Sequence, residues 1–242
     1  MATRSTKKTT GKVDNPNPAK TKTMKTVSET PVAKSTVEEP AYTFDTVPIP
    51  RIAKFFKVSF ETFLTAYKPI YIITEKVSQG IDPSDSTAEF AYSEEKLIES
   101  AKTIYDNIKL PARGTTGSAG YDFFFPFGHT ELPPGVSIMI PTGIKCDMAT
   151  GWCLKEYPRS SLGFKYRFQM DNTVGIIDQD YFNNPKNEGH IFLKMTNDNR
   201  EGLTLMIELG TAIAQGIFEQ YGITVDDDCT AMRTGGIGST NK

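Results

Sequence analysis

What the chain has little of narrows it first. Three cysteines in 242 residues, Cys146, Cys153 and Cys229, are an odd number with no C-x-x-C pair. That argues against a disulfide framework and a zinc site, and the expectation is reduced thiols in a cytoplasmic protein. No run approaches the roughly 18 consecutive apolar residues of a membrane span, so no membrane partner is expected. The net charge is only −2, too small for a global field that would gather nucleic acid, and no direct nucleic-acid contact is expected.

Residues 1–40 lack aromatic side chains altogether and carry eight Lys or Arg against four acids, leaving the tail at +4 and the remainder at −6. Such a Thr/Lys/Pro-rich stretch cannot bury enough apolar surface to offset the entropy of ordering, so residues 1–42 read as a disordered basic tail. A transit peptide and a nucleic-acid arm are the alternatives. The first lacks an apolar helical face, and the second has dispersed bases without aromatic neighbours for stacking.

What is present begins near residue 43, where Phe44, Ile49, Ile52, Phe55, Phe56, Val58, Phe60 and Phe63 crowd together. Residues 43–108 read as an accessory segment with about two helices. "VSFETFLTAY" opens on Ser59 as N-cap; "SEEKLIESAKTIYDNI" opens on Ser93, with Leu97, Ile98, Ala101, Ile104, Tyr105 and Ile108 at helical spacing. After Pro111 the period drops to two. "VSIMI" aligns Val136, Ile138 and Ile140; "HIFLKMT" aligns Ile191, Leu193 and Met195; "LTLMIEL" aligns Leu203, Leu205, Ile207 and Leu209. Turn signals such as "LPPG", "PTG" and "NDNREG" separate the runs, which is the pattern of a sandwich, jelly roll or small barrel.

Within "GIIDQDY", at 175–181, strand alternation would set Asp178 and Asp180 on one face with Ile176, opposite Ile177. Alone, that is either a strand running out into a solvated turn or a pair of working carboxylates. Four further stretches accompany it: "GSAGYDFFF" at 117–125, "YPRSSLGFK" at 157–165, "GTAIAQGIF" at 210–218 and "RTGGIGST" at 233–240. With "DNTVGIIDQDY" at 171–181, their order and spacing closely resemble the homotrimeric deoxyuridine triphosphatase (dUTPase) family over residues 109–242.

That resemblance implies an all-β fold, a distorted jelly-roll β-barrel, with each active site shared between subunits of a homotrimer. It implies hydrolysis of dUTP to dUMP and pyrophosphate. Asp178 aligns with the carboxylate that activates the attacking water, and Tyr181 with the aromatic that packs on the deoxyribose. Asn172 aligns with the reader of the uracil edge, helped by the backbone of Ile176 and Ile177. Arg159, Ser160, Ser161 and Gln215 align with the phosphate cradle, and Asp122 with a carboxylate holding waters on Mg2+. Asp180 is left as structural. "RTGGIGST" resembles a C-terminal arm, residues 233–242, that closes over a neighbour's nucleotide through Arg233, Ile237, Gly238, Ser239 and Thr240.

The chain departs from the family pattern in three places. Ile237 stands where an aromatic is common, "FNNPKNEG" replaces the Arg-Gly usual after Tyr181, and Ala212 stands where an Arg is common. Two other readings are a nucleotide-binding regulatory protein on this fold and a dCTP deaminase, which shares "RSSL". The deaminase would need a carboxylate base where Lys194 stands.

Overall fold

The computed structural model describes residues 47–87 and 89–235, so the basic tail expected at 1–42 lies outside the described residues. From Ile49 onward the chain forms one compact unit. The strands are β1 (Ala53–Lys57), β2 (Ala112–Arg113), β3 (Tyr121–Phe124), β4 (Thr130–Leu132), β5 (Ser137–Pro141), β6 (Ile144–Met148), β7 (Trp152–Pro158), β8 (Phe168–Met170), β9 (Gly175–Ile177), β10 (Phe192–Asn197), β11 (Leu205–Ile207) and β12 (Ala212–Gln220). The helices are α1 (Phe60–Ser78), α2 (Glu94–Asn107) and α3 (Ser160–Tyr166). The strands pair antiparallel in four small sheets: β1-β6, β5-β10-β8, β11-β4 and β2-β3-β12-β7-β9. This mostly-strand, jelly-roll-like architecture is the expected fold class.

Both helices begin where the sequence places their caps. The Ser59 hydroxyl accepts from the Thr62 amide and the Ser93 hydroxyl from the Lys96 amide, each satisfying an orphan donor of the first turn. α1 runs well past "VSFETFLTAY" and through Pro69. Its buried stripe of Phe63, Tyr67 and Tyr71 continues beyond the proline, and Pro69 lies on the exposed side. Burial of that aromatic stripe therefore outweighs the roughly 3 kcal/mol an interior proline costs. In α2, Leu97 and Ala101 are buried while Ile98, counted on the same stripe, points outward.

The core joins these helices to the strands. Phe63, Tyr67, Leu97 and Ile108 belong to one cluster with Phe127, Ile140, Ile144, Leu193 and Met195. "HIFLKMT" buries Ile191, Leu193 and Met195 as its alternation requires. The two flanking runs are buried only where they are paired: Leu205 and Ile207 lie inside, but Leu203 and Leu209, beyond the ends of β11, are exposed, as is Val136 ahead of β5. Among the described residues no helix is long and apolar enough to cross a membrane. All three cysteines are free. Burial pushes the Cys146 thiol up to about 12, leaving it inert at neutral pH.

Candidate active site

The sheet β2-β3-β12-β7-β9 carries most of the sequence-singled residues, and its register gathers one group. Gln215 on β12 lies opposite Asp122 on β3 and Tyr157 on β7. Arg159, just past β7, donates from Nη1 to Asp122 Oδ1 at 2.6 Å. The Gln215 amide donates to the Pro158 carbonyl at 3.4 Å. Gly120 packs closely here: a Cβ would stand 2.7 Å from Gln215 Oε1 and displace the end of that side chain. Ser160 and Ser161, the first residues of α3, are exposed beside Arg159. Arg159 thus bonds Asp122, Gln215 stands opposite that carboxylate across the sheet, and Ser160 and Ser161 follow Arg159 at the start of α3.

A second group forms at the end of β9, where the structure corrects the strand reading of "GIIDQDY". β9 stops at Ile177, and Asp178 caps a single 3-10 turn over Gln179–Tyr181. Asp178 and Asp180 are therefore not strand neighbours. They are brought to one guanidinium: Arg233 donates through Nη2 to Asp178 and through Nε to Asp180 at 3.0 Å. Asp180 is thus half of a charged pair. The same guanidinium lies 5.4 Å from the centre of the Tyr181 ring, within cation–π range. Asp178 and Asp180 remain about half exposed, while Arg233 is mostly covered.

Asn172 sits in the turn between β8 and β9. That turn is not a two-stranded hairpin, because β8 pairs with β10 and β9 with β7; it crosses from one sheet to another. Thr173 adopts a left-handed φ of 67°, and Asn172 is exposed. On β9, Ile176 faces outward and Ile177 packs against the core. The alternation is real, but the apolar side chain at the turn's edge is left uncovered. Ile237, Gly238, Ser239 and Thr240 lie outside the described residues.

Residues the sequence reading passed over complete the surroundings. Glu156 on β7 lies opposite Gly175 and is fully buried, with neither carboxylate oxygen hydrogen-bonded. Burial pushes it up to about 8, so it is held as a neutral acid at pH 7. A Cβ on Gly175 would come within 3.0 Å of its Oε2. Nothing in sequence spacing marks such a residue, since its alternation matches that of a core position.

The stretch "FNNPKNEG" forms a closed turn around Tyr181. The Tyr181 hydroxyl donates to the His190 carbonyl at 2.9 Å and accepts from the Asn187 amide at 2.8 Å. The Tyr181 carbonyl accepts from the buried Asn184 amide at 2.9 Å. Burial raises the Tyr181 hydroxyl above its ordinary range. Gly189 has a φ of 78°, and a Cβ there would lie 2.5 Å from the Tyr181 carbonyl. His190 accepts the Gly143 amide at Nε2, and burial lowers it to about 4. It is neutral at pH 7.

Lys194, at the position where a deaminase would need its carboxylate, instead pairs with Asp171 at 2.9 Å.

The arrangement can be set beside known proteins. A sequence model described as dUTPase matches residues 106–241, more than half of the chain. A deoxyuridine 5'-triphosphate nucleotidohydrolase of Lactococcus lactis subsp. lactis (strain IL1403) is 42% identical over 142 residues, covering 57% of this chain and 93% of that protein. The crystal structure of a dUTPase from Streptococcus mutans is similar at 39% identity and a TM-score of 0.43, over 49% of this chain and 90% of that one. A mutant dUTPase from phage phi11 of S. aureus, with 19% identity and a TM-score of 0.43 over 52% of this chain and 92% of that one, is described as coordinating a structural Mg(II) ion. With a matching family model over residues 106–241, more than half of its length, the chain belongs to the dUTPase family.

Proposed function

We propose that the protein is an enzyme hydrolysing dUTP to dUMP and pyrophosphate, with Asp178 as the base for the attacking water. The carrying observation is the second group: a half-exposed carboxylate with an aromatic and a guanidinium beside it, at the edge of an exposed polar turn. The water oxygen forms a bond to the α-phosphorus while the bond from that phosphorus to the bridging oxygen breaks. The bonding pair leaves with pyrophosphate and the water's proton passes to Asp178.

Asn172 supplies an amide that both donates and accepts, as a uracil edge requires; Ile176 and Ile177 flank it. Tyr181 packs on the sugar, where a ribose hydroxyl would meet the ring. Arg159, Ser160, Ser161 and Gln215 bind the phosphates, Arg159 through forked donors. Arg233 pairs with both Asp178 and Asp180 in the free chain, offsetting one of their two charges, and an incoming triphosphate competes for that cation. Gly238, Ser239 and Thr240 add donors as the arm closes, and Ile237 gives the base an apolar contact.

Asp122 fits a magnesium ion held through water. It is a lone carboxylate with Arg159 on one oxygen, and no group of three or more His, Cys, Asp or Glu among the described residues could hold a metal. Mg2+ commonly keeps most of its waters and takes one or two carboxylates plus substrate phosphates. When bound it would offset the charge of the phosphates.

The separation of the two groups supports a homotrimer. Leu154 pairs with Ile177, next to Asp178, whereas Arg159 lies five residues on from Leu154, just past the end of β7. At about 3.3 Å per residue that is a backbone separation of roughly 16 Å, a wide span for one chain's cradle and base to close on one α-phosphate. Sharing sites between copies removes the difficulty.

The test is incubation with dUTP and Mg2+, analysing products, alongside dCTP. Formation of dUMP and pyrophosphate is expected. Unchanged dUTP with tight binding would favour the regulatory reading, and ammonia from dCTP the deaminase. Sedimentation should give three times 26.8 kDa; a fully active monomer would overturn the shared site.

A further inference from the structure

The turn that encloses Tyr181 does not hold itself. Two of its residues, Asn183 and Glu188, adopt left-handed φ values of 54° and 58°, and for a glutamate that backbone is uncommon. The Asn183 amide donates to the Glu188 carbonyl at 3.0 Å and the Glu188 amide to the Asn184 carbonyl at 2.9 Å. What fixes the far side of this ring is the Glu188 side chain, and its partners lie in the N-terminal segment.

At the start of α1, Ser59 is the N-cap and Thr62 the third helical residue. The Ser59 hydroxyl accepts from the Thr62 amide at 3.2 Å. In a capping box the third residue is Glu or Gln and reaches back to the N-cap amide. Thr62 is too short for that. Glu188 takes the place from 129 residues away: its carboxylate accepts from the Ser59 amide at 3.1 Å, from the Thr62 hydroxyl at 2.6 Å, and from the Ser59 hydroxyl. Lys145 on β6 completes the site, donating to Glu188 at 2.8 Å and to Asn183 at 2.8 Å. Phe182 packs on Phe56 of β1, with ring centres 5.8 Å apart. Burial works to raise the Glu188 carboxyl, but Lys145, Ser59 and Thr62 together hold it down to about 2, so it is ionised throughout the neutral range.

We propose that Glu188 is a positioning residue for Tyr181, and that β1 and the first turn of α1 thereby set the enzyme's preference for deoxyribose over ribose. The inference rests on the role given to Tyr181 above. The path is short: Ser59 and Thr62 hold Glu188, Glu188 fixes the 183–190 turn, and Asn184, Asn187 and His190 of that turn hold both ends of Tyr181. A ring free to shift by a fraction of an ångström would admit a 2′-hydroxyl.

The test uses the full chain with dUTP and its ribose analogue UTP, both with Mg2+. Glu188→Gln and the pair Ser59→Ala with Thr62→Val each loosen the latch from opposite sides. Tyr181→Ala is the comparator, and hydrogen exchange of residues 181–190 reads the turn directly. Both latch variants should lower the ratio of kcat/KM for dUTP to that for UTP by about tenfold, through KM more than kcat, with faster exchange over 181–190. Thr62→Val alone, removing one hydrogen bond, should give a smaller shift in the same direction and serves if the stronger variants do not fold. Folded latch variants that keep the wild-type ratio, while Tyr181→Ala loses it, would overturn the latch. If Tyr181→Ala also keeps the ratio, the role of Tyr181 falls and this inference falls with it.

Discussion

Two turns flank β9 and Asp178, and they are built in opposite ways. The 171–174 turn crosses between sheets with Asn172 and Thr173 exposed. Its side-chain bonds run from Asp171 to Lys194 and Thr196 rather than across its tip. The 182–190 turn is closed by its own amides, by Asn184 and by a carboxylate anchored on a distant helix. An exposed amide with unspent donors and acceptors can be satisfied by a ligand, whereas a turn whose side chains are already bonded to one another and to a distant helix is suited to holding something still. The open turn is suited to reading a base and the closed one to fixing a ring.

The largest effect should come from the residue between them. Asp178→Asn keeps the shape but cannot take a proton, so turnover should vanish while dUTP binding, measured by calorimetry, stays within about an order of magnitude. Joint loss of both would give Asp178 a structural role instead. In the open turn, Asn172→Ala should lower kcat/KM for dUTP about a hundredfold and leave the melting temperature unchanged. In the closed turn the signs exchange. Asn184 donates to the Tyr181 carbonyl and to Asn187, and accepts two backbone amides; Asn184→Ala should cost about 2 kcal/mol of stability in denaturant titration. If Asn172→Ala destabilises as much as Asn184→Ala, the contrast between the turns is wrong.

Glu156, beneath Gly175, sharpens the contrast through pH. Its folded value of about 8 lies above the ordinary 4.5, so its contribution to stability is complete below about pH 4.5 and is lost as pH climbs to 8. Glu156→Gln cannot ionise. The variant should match the wild type at pH 4.5 and melt progressively higher than it toward pH 9; equal melting at both pH values would show that the acid ionises freely. The smallest effect concerns the arm: Ile237→Phe, restoring a ring over the base, should tighten dUTP binding by about 1 kcal/mol. Weaker binding would mean the pocket is shaped around Ile237.

Legibility in the sequence followed the range of the interactions. Caps and periodicities are local, so Ser59, Ser93 and the buried face of β10 could be read directly. The motif residues could be named from their order, and the sheet register sets Asp122, Arg159 and Gln215 together. Alternation alone would carry β9 through Asp178 and Asp180, but the chain leaves β7 after Ile177, although β7 continues to Trp152, and closes a 3-10 turn whose side chains meet Arg233, 53 and 55 positions away. "FNNPKNEG" could be seen as a departure, but its partners Phe56, Ser59 and Thr62 are more than a hundred positions away. No pattern within the stretch announces them.

The pairing of β1 with β6 has a consequence for anyone trimming the chain to its family-matched portion. Among the described residues β1 is the strand that covers β6, whose Ile144, Cys146 and Met148 face the core. A fragment starting at residue 106 would bare a row of unpaired amides and carbonyls next to an apolar face vacated by Phe63, Tyr67 and Leu97. Such an edge is a template for another chain's strand, and the shortened protein would associate sideways into aggregates.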